Sequence, residues 1–283
     1  FENIESYIVN ESFENYSGCP NNFSGMYLCD DWQQATSATS DYFACGAELD
    51  SWASTSMGTF PAVPDGSAFA GGIMYPTWSS TTRYVEYVGG CTTDTLTSGT
   101  DYTFEMYVAS PIGGVWGGDT SGEIQLFGIP ACSALPISTY GSLDGSYDLL
   151  DEVSVSIGGG DPFQLISFSF TSTADYQAVV FGAADDMTVS SGYLGNYVLY
   201  DSLVLNTSTS FGDEILSQGD CESGWLLTGP QPTDVSFQWY ESDVAIVGAT
   251  ASDYSVPPDT EGTFGLRVDD GLECNTATNV VTI

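Results

Sequence analysis

Tyr102-Thr103-Phe104-Glu105-Met106-Tyr107-Val108 decides the class of this chain. Large apolar side chains stand at Tyr102, Phe104, Met106 and Val108, with Thr103, Glu105 and Tyr107 between them. A period of two puts one set on a core and the other set on the opposite face of a β-strand. Gln164-Leu165-Ile166-Ser167-Phe168-Ser169-Phe170 repeats the pattern. Working outward, further short runs rich in Val, Ile, Tyr, Phe and Thr alternate with Gly, Ser, Asp and Pro. They predict strands at Ser6–Phe13, Ala68–Tyr75, Arg83–Val88, Glu123–Phe127, Glu152–Ile157, Gln177–Phe181 and Tyr197–Leu205. No long 3.6-residue period interrupts them, so the chain reads as all-β. Eight or nine strands in one block fit a two-sheet jelly roll.

Composition bounds what such a fold can do. The 283 residues are 42 % hydrophobic, enough for a packed core in two β-domains. Two arginines, Arg83 and Arg267, and no lysine face 38 acidic residues, for a formal charge of −36. That surface repels phosphate and anionic lipid, which excludes nucleic acid as a partner. It suits saline surroundings and can collect divalent cations. The absence of histidine removes Ser-His-Asp catalysis and the usual zinc ligand. No run of about 20 apolar residues exists, so no membrane insertion is expected. Phe1 in place of Met points to a removed secretion signal or to a piece of a longer chain. The seven cysteines form no CxxC pair and read as a disulfide framework in an oxidising space.

Asn206–Gly212 is small and polar, a linker, and it divides a unit of residues 1–207 from one of 208–283. In the first unit Asn10-Glu-Ser-Phe13-Glu14 precedes Cys19-Pro20, Trp32 and Asp41-Tyr42-Phe43-Ala44-Cys45. Asn196-Tyr197-Val198-Leu199-Tyr200-Asp201 closes it. This pairing resembles the first and last strands of the jelly-roll modules of secreted Bacteroidetes surface proteins. The same jelly roll serves as a carbohydrate-binding module in polysaccharide-degrading enzymes. The second unit holds Cys221, Phe237-Gln238-Trp239-Tyr240, Gly262-Thr263-Phe264 and Cys274. A central Trp with flanking Cys suggests a small immunoglobulin-like sandwich, and the motif order is similar to the Ig-like repeats of Bacteroidetes adhesins and gliding-associated proteins. Trp32 and Trp239 are assigned to cores.

The first resemblance implies a structural Ca²⁺ held by Glu14 and Asp201 with backbone carbonyls. Calcium takes six to eight oxygens, and carboxylates from the two chain ends supply some of them. The plain alternative is two solvated acids. Cys19 and Cys45 match the two recurrent cysteines of that family, and Cys221 with Cys274 would bridge the small sandwich. Of Cys29, Cys91 and Cys132, two can pair, with Cys91–Cys132 the choice; the one left over is intermolecular or a free thiol. A glycosidase needs two carboxylates at a fixed separation. The adjacent pairs Asp30-Asp31 and Asp185-Asp186 are what chance supplies among so many acids. Trp52, Tyr75, Trp78, Tyr84 and Trp116 sit in or beside Gly-, Ser- and Thr-rich stretches. Sugar C–H faces pack on aromatic rings, so these five are the candidate ligand-binding residues; core or subunit packing is the alternative. Asn10, Asn15, Asn22 and Asn206 begin sequons, and Asp94-Thr95-Leu96 and Asp201-Ser202-Leu203 resemble the Bacteroidetes O-glycosylation motif.

The domain pair, the missing His and Lys, the abrupt end at Ile283 and the odd cysteine together imply a function. It is that of a non-catalytic, secreted, cell-surface structural or adhesive protein, part of a filament, array or long adhesin. Export by a type IX secretion route goes with the resemblance. Its partners would be itself, other surface-protein subunits, or glycans. The alternative is a carbohydrate-binding module, free or part of a larger secreted enzyme.

Overall fold

The computed structural model describes residues 6–283 apart from 47–52, 54–56, 80–81, 114–115, 117, 186, 190–193, 208–215, 221–223, 229–235, 243, 259, 270–273 and 277–280. The chain is all-β and divides into two compact units, Ser6–Ser208 and Thr209–Ile283.

The larger unit carries β1 (Trp32–Gln34), β2 (Asp41–Phe43), β3 (Phe69–Ser79), β4 (Thr82–Val85), β5 (Val88–Leu96) and β6 (Asp101–Ala109). It continues with β7 (Thr120–Ile129), β8 (Asp148–Ile157), β9 (Gln164–Thr171), β10 (Tyr176–Ala183), β11 (Thr188–Val189) and β12 (Asn196–Thr207). One sheet runs β1-β5-β10-β7-β11, with β8 also on β7. The other runs β2-β3-β12-β6-β9, with β4 also on β3. Every pairing in both sheets is antiparallel, as a jelly roll requires.

The alternation in β6 and β9 does what its period demands. Tyr102, Phe104, Met106 and Val108 are buried, and so are Ile166, Phe168 and Phe170 opposite them. Phe104 meets Phe181 of β10 from the facing sheet at 5.8 Å between ring centroids, so the core lies between the sheets. The runs in β2, β3 and β12 are continuous rather than alternating, because both faces of this part of the second sheet are covered. Val198 and Tyr200 join the inter-sheet core, while Tyr197 and Leu199 join a second cluster with Phe43, Phe69 and Ile73. Ala53, Met57, Phe60 and Val63, ahead of β3 in the chain, pack with that second cluster.

Three expectations about strands need correction. Ser6–Phe13 is a chain of bends and turns, since Asn10 and Phe13 take left-handed backbone angles of 55° and 60°. It still fastens the ends of the domain, with Tyr7 N–H donating to the Leu205 carbonyl at 2.8 Å. Arg83–Val88 is not one strand but the end of β4 and the start of β5, separated at Glu86 and Tyr87. The expected linker starts too early, because Asn206 and Thr207 still pair with Thr103 and Tyr102.

The smaller unit holds β13 (Leu216–Asp220), β14 (Gly224–Thr228), β15 (Ser236–Glu241), β16 (Val244–Ala245), β17 (Asp253–Val256), β18 (Thr263–Asp269), β19 (Cys274–Thr276) and β20 (Val281–Thr282). A β13-β14-β17 sheet and a β16-β15-β18-β19 sheet enclose Leu227, Trp239, Val256, Phe264 and Leu266. Trp239 is fully buried, and its indole N–H donates to the Ala251 carbonyl at 3.0 Å, so the ring is buried without leaving its polar atom unpaired.

Candidate functional site

The second face of the β2-β3-β12 region is where the informative side chains converge. Register sets this up: Asp41 stands opposite Gly71, Tyr197 opposite Ile73, and Tyr84 opposite Tyr75. Residues 71, 73 and 75 share one face of β3, so their partners arrive on that face too. The result is a cavity of about 190 Å³, partly open to solvent. Its floor is Asp41, Glu86, Ile73 and Tyr197, all buried. Its rim is half-buried and largely aromatic, with Tyr75, Tyr84, Phe23 and Trp116. Trp116 comes from the loop after β6 and meets Tyr75 edge-on, centroids 5.8 Å apart and planes at 76°, so the two rings make a corner.

The acids on the floor are held firmly. Asp41 accepts from the Ser24 backbone N–H and from the Tyr197 hydroxyl, both at 2.5 Å. Glu86 accepts from Ile73 N–H at 2.9 Å. Burial nevertheless outweighs these donors and pushes Asp41 up to about 6. Glu86 is raised well above the ordinary carboxylate range, first by burial and then by the charge of Asp41. None of the described lining residues is basic. The close approach depends on Gly71, where a methyl group would stand 2.6 Å from the Tyr197 ring and 2.8 Å from its hydroxyl.

Of the five aromatic residues chosen from sequence, Tyr75, Tyr84 and Trp116 are brought together here. Trp52 lies outside the described residues, and so does the side chain of Trp78 in β3. Asp41 and Glu86 escaped the sequence reading, although the signal was there. Each is an acid embedded in an apolar run, Asp41-Tyr42-Phe43-Ala44 and Val85-Glu86-Tyr87-Val88, and a charge buried in such a run needs a reason. Asp30 and Asp31 are exposed and outside the cavity lining. Asp185 is half-buried, and its neighbour Asp186 lies outside the described residues.

Glu14 and Asp201 reach the same turn from opposite ends of the domain. Glu14 accepts from the N–H groups of Ser67 and Ala68, each at 2.6 Å, an approach open because Gly66 (φ 59°) has no side chain. Asp201 accepts from Asp65 N–H at 3.2 Å and Ser202 N–H at 2.7 Å. Asp201 sits at a bulge in β12, fully buried, and burial, with Asp65 and Glu14 adding to it, raises it to about 7. Carboxylate oxygens from two chain segments are of the kind a hard cation such as Ca²⁺ takes. Among the described residues, no group of three or more Asp, Glu, His or Cys is gathered closely enough to hold a metal alone, so backbone carbonyls would have to complete the set.

Disulfides join Cys19 to Cys45 and Cys91 to Cys132, with Cα atoms 5.8 and 5.4 Å apart. Cys29 is a buried free thiol beside Asn10, pushed up by burial. Cys221 and the side chain of Cys274 lie outside the described residues.

No protein-family profile and no curated protein matches the chain. Similar solved structures include the carbohydrate-binding and xylanase modules of a Clostridium thermocellum endo-1,4-beta-D-xylanase complexed with xylohexaose (9 % identity, TM-score 0.40). That match covers 78 % of this chain and 31 % of the other. A carbohydrate-binding module in complex with beta-1,4-galactotriose aligns at 11 % identity and TM-score 0.32, over 72 % of this chain and 99 % of the module. The K2 cleaved adhesin domain of Lys-gingipain aligns at 12 % identity and TM-score 0.37, over 69 % and 95 %.

Proposed function

We propose that this is a non-catalytic, secreted adhesive protein whose larger unit binds a glycan in the cavity over β2 and β3. One observation carries the reading: Tyr75, Tyr84 and Trp116 surround a single cavity whose floor holds hydrogen-bonding acids. Aromatic faces take the C–H faces of a sugar, and Asp41 and Glu86 take its polar hydrogens. A cavity of this volume suits one sugar unit rather than a long chain. The paired cysteines accord with an oxidising compartment. A structural Ca²⁺ at Glu14 and Asp201 belongs to the same proposal. The test is a glycan array with the whole chain, followed by calorimetry. Specific binding that falls about tenfold in Trp116→Ala supports the reading. An array without specific hits overturns it.

A second reading, a subunit of a surface filament or array exported by a type IX route, is favoured by the exposed apolar side chains. Tyr27, Tyr140 and Leu165 in the larger unit and Val244 and Val247 in the smaller one are 50 % or more exposed. Where such side chains gather into one patch, they mark contact surfaces. Negative-stain microscopy of native material distinguishes the two, since only an array subunit forms ordered polymers.

A further inference from the structure

Neutral acceptors can meet the hydroxyls of a neutral sugar, yet the floor of this cavity holds two buried acids. Asp41 and Glu86 are 4 % and 5 % exposed, and the described lining supplies no basic partner for either. Above them, Tyr75 and Trp116 line the same cavity with their planes at 76° to one another. Ring faces are negative and attract cations, more strongly when water is excluded. Aromatic corner and carboxylate floor therefore favour positive charge from two sides. An anion is repelled, and a purely apolar ligand would have to cover the acids without replacing their solvation. A second copy of this chain is a poor source of the cation, because the sequence has no lysine and only two arginines.

We propose that the glycan taken by this cavity carries a protonated amine, seated between the Tyr75–Trp116 corner and the Asp41 and Glu86 carboxylates. The inference rests on the glycan-binding reading and narrows it to amino sugars whose nitrogen is free rather than acylated. The ammonium would donate to the carboxylates below, while the C–H face of the sugar packs on the indole.

The charge of −36 attracts any polycation, so the probe is a disaccharide with one free amine, compared with its N-acetylated form and a neutral glucose disaccharide. Titration calorimetry on the whole chain at neutral pH is expected to give about tenfold tighter binding for the free amine. Glu86→Gln, which removes the ionisable group and keeps the shape, should abolish that preference, so that the free amine and its N-acetylated form bind alike. Melting curves establish that the variant is folded; if it is not, Trp116→Phe, which keeps a ring and weakens the corner, takes its place. Equal binding of the three disaccharides overturns the amine and leaves glycan binding intact. An amine preference that survives in the folded variant places the cation elsewhere and overturns the site. If no disaccharide binds but tetramethylammonium does, and Glu86→Gln abolishes it, the cation pocket stands and the glycan reading falls. If nothing binds, both fall.

Discussion

Asp201 and Asp41 are carboxylic acids with almost all of their surface buried, and that shapes how the larger unit responds to pH. Asp41 titrates at about 6 instead of its ordinary 3.8, and Asp201 at about 7, in both cases chiefly through burial. Between pH 4 and those values the folded chain holds protons that the unfolded chain has released. Stability therefore falls as pH rises through that window and levels off above it. For Asp41 the loss is on the order of a few kcal/mol over the whole window. Glu86, also raised by burial and by the charge of Asp41, acts in the same direction. General charge repulsion changes over the same range, so the control is Asp41→Asn, which should flatten the slope by that amount in denaturant titrations. A slope unchanged in the variant would mean that Asp41 titrates as an ordinary surface acid. Calcium supplies a second expectation at this scale. An ion that binds only the folded state raises its stability, and at Glu14 and Asp201 it also lowers the cost of ionising Asp201. Added Ca²⁺ should raise the melting temperature and weaken the pH dependence, and Asp201→Ala should remove both effects. Identical melting of chelated and calcium-loaded protein would rule the ion out. Only part of this was legible in the sequence. Glu14 and Asp201 stood out through a resemblance, but nothing local shows that they share the Asp65–Ala68 turn, because 187 residues separate them. Asp41 and Glu86 needed the sheet register to become a pair.

At the scale of elements, strands with one covered face were readable and strands with two were only partly so. β6 and β9 alternate because only one of their faces meets the core, and their bounds differ from expectation by a residue or so. β12 reads Asn196-Tyr197-Val198-Leu199-Tyr200, a run that says buried but not on which side. The second cluster, and with it the cavity, follows from that doubled burial. β1 and β2 have three residues each, too few for any period to show, and they take their conformation from the long strands they pair with. Ser6–Phe13 misled for the opposite reason: its composition is strand-like, but left-handed turns at Asn10 and Phe13 break it. β3 gives the test at this scale. Gly71 lies beneath Tyr197, and an added methyl group there would displace the ring and its bond to Asp41. Gly71→Ala should cost about 1–3 kcal/mol, the usual penalty of overpacking, and should weaken ligand binding along with stability. A substitution that leaves both intact would show that Tyr197 does not position Asp41.

For the whole molecule, the governing quantity is charge. With −36 on each chain, identical copies repel across a Debye length of about 8 Å at physiological salt and about 30 Å at 0.01 M. Ion pairs between copies are limited to what Arg83 and Arg267 can make. Any association must therefore work at short range, through apolar patches, strand edges or bridging cations. The larger unit offers candidates: β9 lies at the end of its sheet and carries Leu165, 51 % exposed, on its outer face. Tyr27 is 75 % exposed. If the chain serves in an array, its self-association should strengthen with added salt or Ca²⁺ and weaken on desalting with chelator. Sedimentation velocity across ionic strength and calcium reads this directly. Leu165→Asp, which adds like charge to an edge strand, should lower the association if β9 is part of the contact. A chain that stays monomeric at high concentration under every condition would remove the array and leave the glycan module by itself. Association strongest at low ionic strength would contradict the repulsion on which the expectation depends, since screening can only help chains that repel.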